Sequence, residues 1–166
     1  MHKSFQRASL AAALFLLGGS VTFACSGSPS KLADAFEHAD VVVVAQLVSS
    51  ELTPTDGDTS GRLVTENAVF KVMESFKGSL AKGALLQVRT SLGPGSCGRS
   101  ARNNPPWIES FDERTGKPVV PKLSGKWLIY GSGQEPYELS MLMRAAPLEY
   151  GGQDDVPELR KLRKKR

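Results

Sequence analysis

Asp40 is followed by Val41, Val42, Val43, Val44, Ala45, Gln46, Leu47 and Val48, eight residues with one polar side chain among them. β-Branched residues at this density favour extended backbone, and the missing polar alternation means that neither face of the strand is meant for water. The chain therefore has to set this segment inside a sheet and cover it from both sides. A polar loop with Pro54, Asp56, Gly57, Asp58 and Gly61 comes next, and then a second long strand. There Leu63, Thr65, Asn67, Val69, Lys71 and Met73 alternate with Val64, Ala68, Phe70 and Val72, until Phe76-Lys77-Gly78 turns the chain. Leu85–Thr90, Lys126–Tyr130 and Tyr137–Met143 give the third, fourth and fifth strands, the last two joined as a hairpin through Gly131-Ser132-Gly133.

Two helices flank these strands. Lys31–His38 carries Leu32, Ala35 and Phe36 at helical spacing, and Asp154 and Asp155 are placed to cap a final helix with Pro157 in its first turn and Val156, Leu159 and Leu162 as a narrow apolar stripe. Gly93–Gly125, rich in Pro, Gly and charge, is expected to be a surface excursion anchored by Trp107, Ile108 and Phe111. The expected fold is mainly β, a small OB-fold-like five-stranded barrel with a short N-terminal helix and a C-terminal helix. An open sandwich is the alternative, because periodicity marks strands and does not fix their pairing.

Residues 1–24 have the pattern of a signal peptide: His2, Lys3 and Arg7, the apolar run Leu10–Leu17, then Gly18, Gly19, Ser20 and Ala24. The run is too short for a bilayer span, which takes roughly 17 to 25 apolar residues. The expected organisation is a signal peptide over 1–24, the β domain over 25–150 and a basic C-terminal helix and tail over 151–166. Export to the periplasm or the medium follows. Of the 21 Lys plus Arg residues, six lie in the last seven positions, Arg160, Lys161, Arg163, Lys164, Lys165 and Arg166. Residues 25–157 hold 13 basic and 16 acidic side chains, so the body offers no basic face for nucleic acid, and aromatics at 7% give little to stack bases on. If the tail has a partner, its charge suits an anionic membrane surface or an acidic glycan.

The same inventory speaks against an enzyme. His38 is the single histidine outside the extreme N-terminus, which excludes a multi-His metal centre, and no flanking motif makes it the base of a thiol catalyst. Gly93-Pro94-Gly95-Ser96 lacks the Gly-Lys-Ser/Thr ending of a phosphate loop and is a turn. No cofactor and no metal of the protein's own is expected.

The informative constellation is Cys25, which follows the cleavage point at Ala24, and Cys97, the only other cysteine. In an oxidising compartment an isolated pair is most simply a disulfide, and closing a loop of about 73 residues stabilises a fold by roughly 4 kcal/mol on the chain-entropy model. Lipidation of Cys25, as in a bacterial lipoprotein, is the rival, although Thr22 and Phe23 fit the usual lipobox poorly. It would block both the amino group and the sulfur.

In order and spacing these residues resemble the tissue inhibitors of metalloproteinases and their netrin-like relatives. Cys25-Ser26-Gly27-Ser28-Pro29 is similar to that family's Cys-Thr/Ser-Cys-x-Pro opening, and Ala35-Phe36 followed by Ala39-Asp40-Val41-Val42 to its first helix and strand. Phe76-Lys77-Gly78 resembles the turn after the second strand, Thr90 through Cys97-Gly98 the stretch holding the first cysteine's partner, and Trp127-Leu128-Ile129 the fourth strand. The resemblance covers roughly residues 25–145. It implies that the α-amino group and carbonyl oxygen of Cys25 chelate the catalytic zinc of a target metalloprotease while the Ser26 side chain enters its specificity pocket. The departures are Gly27 and Glu37 where the family has cysteines, no cysteine in Leu139–Arg144, a longer loop over Arg99–Ser124 and no cysteine-rich second domain following. A non-inhibitory envelope module, soluble or lipid-anchored, is the alternative function.

Overall fold

The valine run becomes the middle strand of the protein. The structure, a computed structural model, describes residues 30–94, 96–102, 110–111, 114–119 and 124–164. In chain order its elements are α1 (Leu32–His38), β1 (Val41–Pro54), β2 (Val64–Lys77), β3 (Leu85–Leu92), β4 (Ser110–Phe111), β5 (Pro118–Val119), β6 (Lys126–Gly131), β7 (Ala146–Pro147) and α2 (Gln153–Lys164). Five strands form one antiparallel sheet ordered β3-β2-β1-β6-β7, and β4 pairs only with β5.

Both faces of β1 are covered over Val41–Ala45, but not as far as the valine run led one to expect: Gln46 and Leu47 are half-buried and Val48 is 58% exposed. Val41, Val43 and Ala45 pack with Ala68, Phe70 and Val72 of β2, Leu86 and Val88 of β3, and Trp127 and Ile129 of β6. Phe70 and Trp127 meet edge to face, with ring centroids 6.5 Å apart. Val42 and Val44 point the other way, into a second core with Ala35 and Phe36 of α1, Phe76, Leu128, Tyr130 and Leu159 of α2. Each large aliphatic side chain buried in this way contributes roughly 1.5–3 kcal/mol. The register between β1 and β2 shifts three times, leaving Phe76 and Met73 of β2 and Val48 of β1 without an opposite residue.

Charges fasten the helices to the sheet. The Lys77 ammonium donates to the carbonyls of Phe36 and Glu37 at 2.9 and 2.7 Å, where the negative end of α1 favours a cation. On α2, Arg160 donates to both Glu74 oxygens at 3.0 and 2.7 Å. This contact holds the Glu74 carboxyl below its ordinary value of 4.5. A carboxyl depressed by folding stabilises at neutral pH and loses that contribution as pH falls through its folded value. Acid below pH 4.5 is therefore expected to loosen α2, seen as a decline in helical circular dichroism, and Glu74→Gln should flatten that dependence.

The fifth strand differs from expectation. Tyr137–Met143 forms no hairpin with β6; it makes one parallel bridge from Tyr137 to Val88 and one antiparallel bridge from Ser140 to Gly98, and residues 141–144 are a turn. The reason lies in β3, an edge strand whose outward N–H and C=O groups need partners. Tyr137 N donates to Gln87 O at 3.0 Å, Arg89 N donates to Tyr137 O at 2.7 Å, and Gln87 N donates to Glu135 Oε2 at 3.0 Å. Gly131 makes room for this crossing, since a Cβ there would stand 2.5 Å from the Tyr137 ring. The fifth strand of the sheet is instead β7, two residues long. The sheet is not closed: β3 and β7 are its two edges.

Smaller corrections follow from the same packing. Asp154 and Asp155 sit inside the first turn of α2 rather than ahead of it. The excursion leaves the body later than expected, because Ser100 and Ala101 are buried. Residues 1–29, Trp107 and Ile108 lie outside the described residues, and Phe111 belongs to β4. No helix among the described residues is long and apolar enough to cross a membrane.

Candidate functional site

Cys97 and the start of the described chain converge on one short segment, Leu139–Arg144. Cys97 O accepts from Met141 N at 3.2 Å and Arg99 N donates to Leu139 O at 2.8 Å, so Cys97–Arg99 runs antiparallel to Leu139–Met141. On the other side, Ser96 Oγ donates to Ser91 O and accepts from Gly98 N. Gly98 is required by this sandwich, because a Cβ would fall 2.3 Å from Ser91 O and 2.5 Å from Thr90 Cγ2.

A buried carboxyl group pins the far end of the cysteine segment. Glu66, 1% exposed, accepts from Ala101 N at 2.7 Å through Oε2 and from Ser50 Oγ at 2.5 Å through Oε1. Burying so polar a side chain is tolerable only with its oxygens satisfied, and here they are. Arg99 Nη1 donates to Ala145 O at 3.1 Å, and burial pushes this guanidinium below its ordinary pKa. Thr90 Oγ1 accepts from Leu139 N at 3.1 Å, tying the central segment to β3.

Ser30 approaches from the opposite side. Its N and Oγ both donate to Leu142 O, at 3.4 and 3.3 Å, and Arg144 Nη1 donates to Ser30 O at 2.9 Å. Ser30 and Cys97 thus bond to adjacent residues, Leu142 and Met141. Cys25 stands five residues before Ser30, a span of at most roughly 17 Å, which is ample to return to Cys97. Cys25 and Ser26, the expected zinc-directed residues, lie outside the described residues, so the structure places only Cys97 of the three. No cysteine is free among the described residues.

His38 is the last residue of α1, with Nδ1 2.7 Å from Asp34 O. No group of three or more His, Cys, Asp or Glu side chains suited to a metal ion exists among the described residues. A separate, solvent-open groove crosses the outer face of β1, β2 and β3. Its two parts, about 400 and 600 Å³, share Asn67 and Arg89, and Arg89 Nε donates to Asn67 Oδ1 at 3.1 Å. Ser49, Thr53, Thr65 and Gln87 line it beside Pro54, Val69 and Pro136, so its surface mixes polar and apolar groups.

Sequence reasoning missed Glu66, Arg144 and Ser30. Glu66 had a visible signal: it interrupts the inward series Val64, Ala68, Phe70 and Val72 at a position where only a tethering role justifies a charge. Arg144 and Ser30 had none, since their contact joins residues more than a hundred positions apart. The chain matches no protein-family model and no curated protein sequence.

Proposed function

We propose that the protein is an exported, OB-type barrel of the tissue-inhibitor kind whose mature N-terminus, Cys25, acts as a plug for the catalytic zinc of a metalloprotease. The observation that supports this reading is the meeting of Ser30, five residues after Cys25, and the Cys97 segment on Leu139–Arg144. The barrel is supported by Tyr137 lying along β3 while β6 lies along β1, so that one chain excursion reaches both sides of the sheet. A Cys25–Cys97 disulfide would hold the amino terminus at that rim. An α-amino group with an ordinary pKa of about 8 is partly neutral near pH 7, and a catalytic zinc keeps one position open for such a donor. The Cys25 amine and carbonyl oxygen would displace the zinc-bound water, and Ser26 would sit in the adjoining pocket. The protein itself has no catalytic role in this reading and carries no metal or cofactor.

The test is inhibition of a panel of zinc proteases by the purified exported protein, compared with a form carrying one extra alanine before Cys25. Extension moves the amine off the metal by about one residue length, roughly 3.5 Å. Inhibition should weaken at least about 100-fold, some 2.7 kcal/mol. Equal inhibition by the two forms would eliminate zinc chelation. The second reading, an envelope interaction module, is favoured by the open groove of mixed polarity around Asn67 and Arg89. Intact mass separates them: acyl chains on Cys25 support the module and preclude the plug.

A further inference from the structure

We infer that Arg144 is the positioning residue of Ser30, and that α2 holds Ser30 in place through it; the inference rests on the proposed reading of the N-terminus as the acting part. Arg144 ends the turn that carries Met141 and Leu142, with Arg144 N donating to Met141 O at 3.1 Å and Ala145 N to Ser140 O at 3.1 Å. Its φ of +62° lies in the left-handed region, uncommon for a residue with a side chain. Such a conformation persists only where the surroundings over-determine it. Here they do so through one guanidinium. Nε donates to Asp155 Oδ2 at 3.0 Å, and Nη2 donates to Oδ1 and Oδ2 at 2.6 and 2.8 Å. Nη1 is left to donate to Ser30 O at 2.9 Å.

This forked pair is mostly shielded from water, the side chains of Arg144 and Asp155 being 25% and 13% exposed. A planar guanidinium held by three bonds to one carboxylate has little freedom left, so Asp155 sets the direction of Nη1, which adds the third tie to Ser30 beside the two that Ser30 N and Oγ make to Leu142 O. Asp155 belongs to the first turn of α2. That helix is fixed by buried Leu159 and by Arg160 on Glu74. The Tyr130 hydroxyl, 3.5 Å from Asp155 Oδ2, closes the inner side of the pair. Burial and then the Asp155 charge push that phenol well above its ordinary pKa, so it stays neutral beside the carboxylate. The route from helix to chain start is therefore Leu159 and Arg160, then Asp155, then Arg144, then Ser30.

Amide hydrogen exchange of the full exported protein tests this without any protease. The Arg144→Ala variant should exchange the Ser30 amide at least tenfold faster than Val88→Ala, a variant of the other core used at matched loss of melting temperature. Asp155→Asn should act in the same direction. Arg144→Lys, which can reach Ser30 O but cannot make the forked contact, should fall between the two and keeps the test alive if the alanine variant does not fold. In parallel, inhibition of a zinc protease should weaken about tenfold in Arg144→Ala and be partly restored in Arg144→Lys. Selective loosening of Ser30 in a protein that inhibits nothing upholds the positioning role and removes the plug. Equal exchange in Arg144→Ala and Val88→Ala overturns the positioning role, whether or not the protein inhibits.

Discussion

Replacing Cys97 with serine is expected to lower the unfolding free energy of the exported protein by about 4 kcal/mol, the value for a loop of about 73 residues in the unfolded chain. For a domain of this size that corresponds to a fall in melting temperature of roughly 10–15 °C. The expectation follows from the proposed pairing with Cys25. Most of the effect acts on the unfolded chain, in which the bridge would keep residues 25 and 97 together, so the folded contacts around Ser96 and Gly98 need not change. The measurement is thermal unfolding of the wild type with and without reductant, beside Cys97→Ser. Reduced wild type and the serine variant should melt together, well below the oxidised protein. Three identical curves would show that no disulfide stabilises this fold, and a wild-type mass lacking the two-hydrogen loss would say the same.

The second large effect is expected at Glu66. Glu66→Ala removes both acceptors at once, leaving Ala101 N and Ser50 Oγ buried without them. Each buried donor so abandoned costs about 1–3 kcal/mol, and the loss of the side chain adds a small cavity. A total of about 3–4 kcal/mol is expected in denaturant unfolding. Glu66→Gln keeps one carbonyl acceptor and should recover more than half of that. The variant also has a local consequence. Ala101 is the inner anchor of the Cys97 segment, so Glu66→Ala should speed reduction of the proposed Cys25–Cys97 bridge by a small thiol more than an equally destabilising change in the second core, such as Leu128→Ala. If Glu66→Ala is neutral, the cysteine segment is held by its bonds to Ser91, Leu139–Met141 and Ala145 without help from Glu66.

Glu66 and Arg144 stand for two kinds of tertiary polar contact that make the rim. Glu66 sits on a strand, points into the core by alternation and reaches a loop 35 positions away. Arg144 sits in a turn, points by virtue of an unusual backbone angle and joins the chain start to the last helix. Both act by satisfying backbone atoms, buried Ala101 N in one case and half-buried Ser30 O in the other, and each gives its segment an anchor it could not make from its own residues.

The valine run determined by composition that one strand would be covered on both faces, and Val41–Ala45 are, whereas Gln46 and Leu47 are half-buried and Val48 is 58% exposed, because the sheet's covering layers end before the strand does. The alternation of β2, the helical spacing of Leu32, Ala35 and Phe36, and the stripe Val156, Leu159 and Leu162 likewise carried their local structure and their buried faces. What only the tertiary structure decided was pairing. Tyr137–Leu139 carries the residues of a strand, and nothing in its own pattern says that it joins the exposed edge of β3 and leaves β6 to the two residues of β7. Periodicity records which side of a segment avoids water, a property of each residue and its near neighbours. Partner choice depends on which distant backbone groups are left without hydrogen bonds, and that is known only once the other strands are in place. The rim has the same origin: Cys97 is visible in the sequence, whereas Ser30, Glu66 and Arg144 become part of one site only because the fold brings them there.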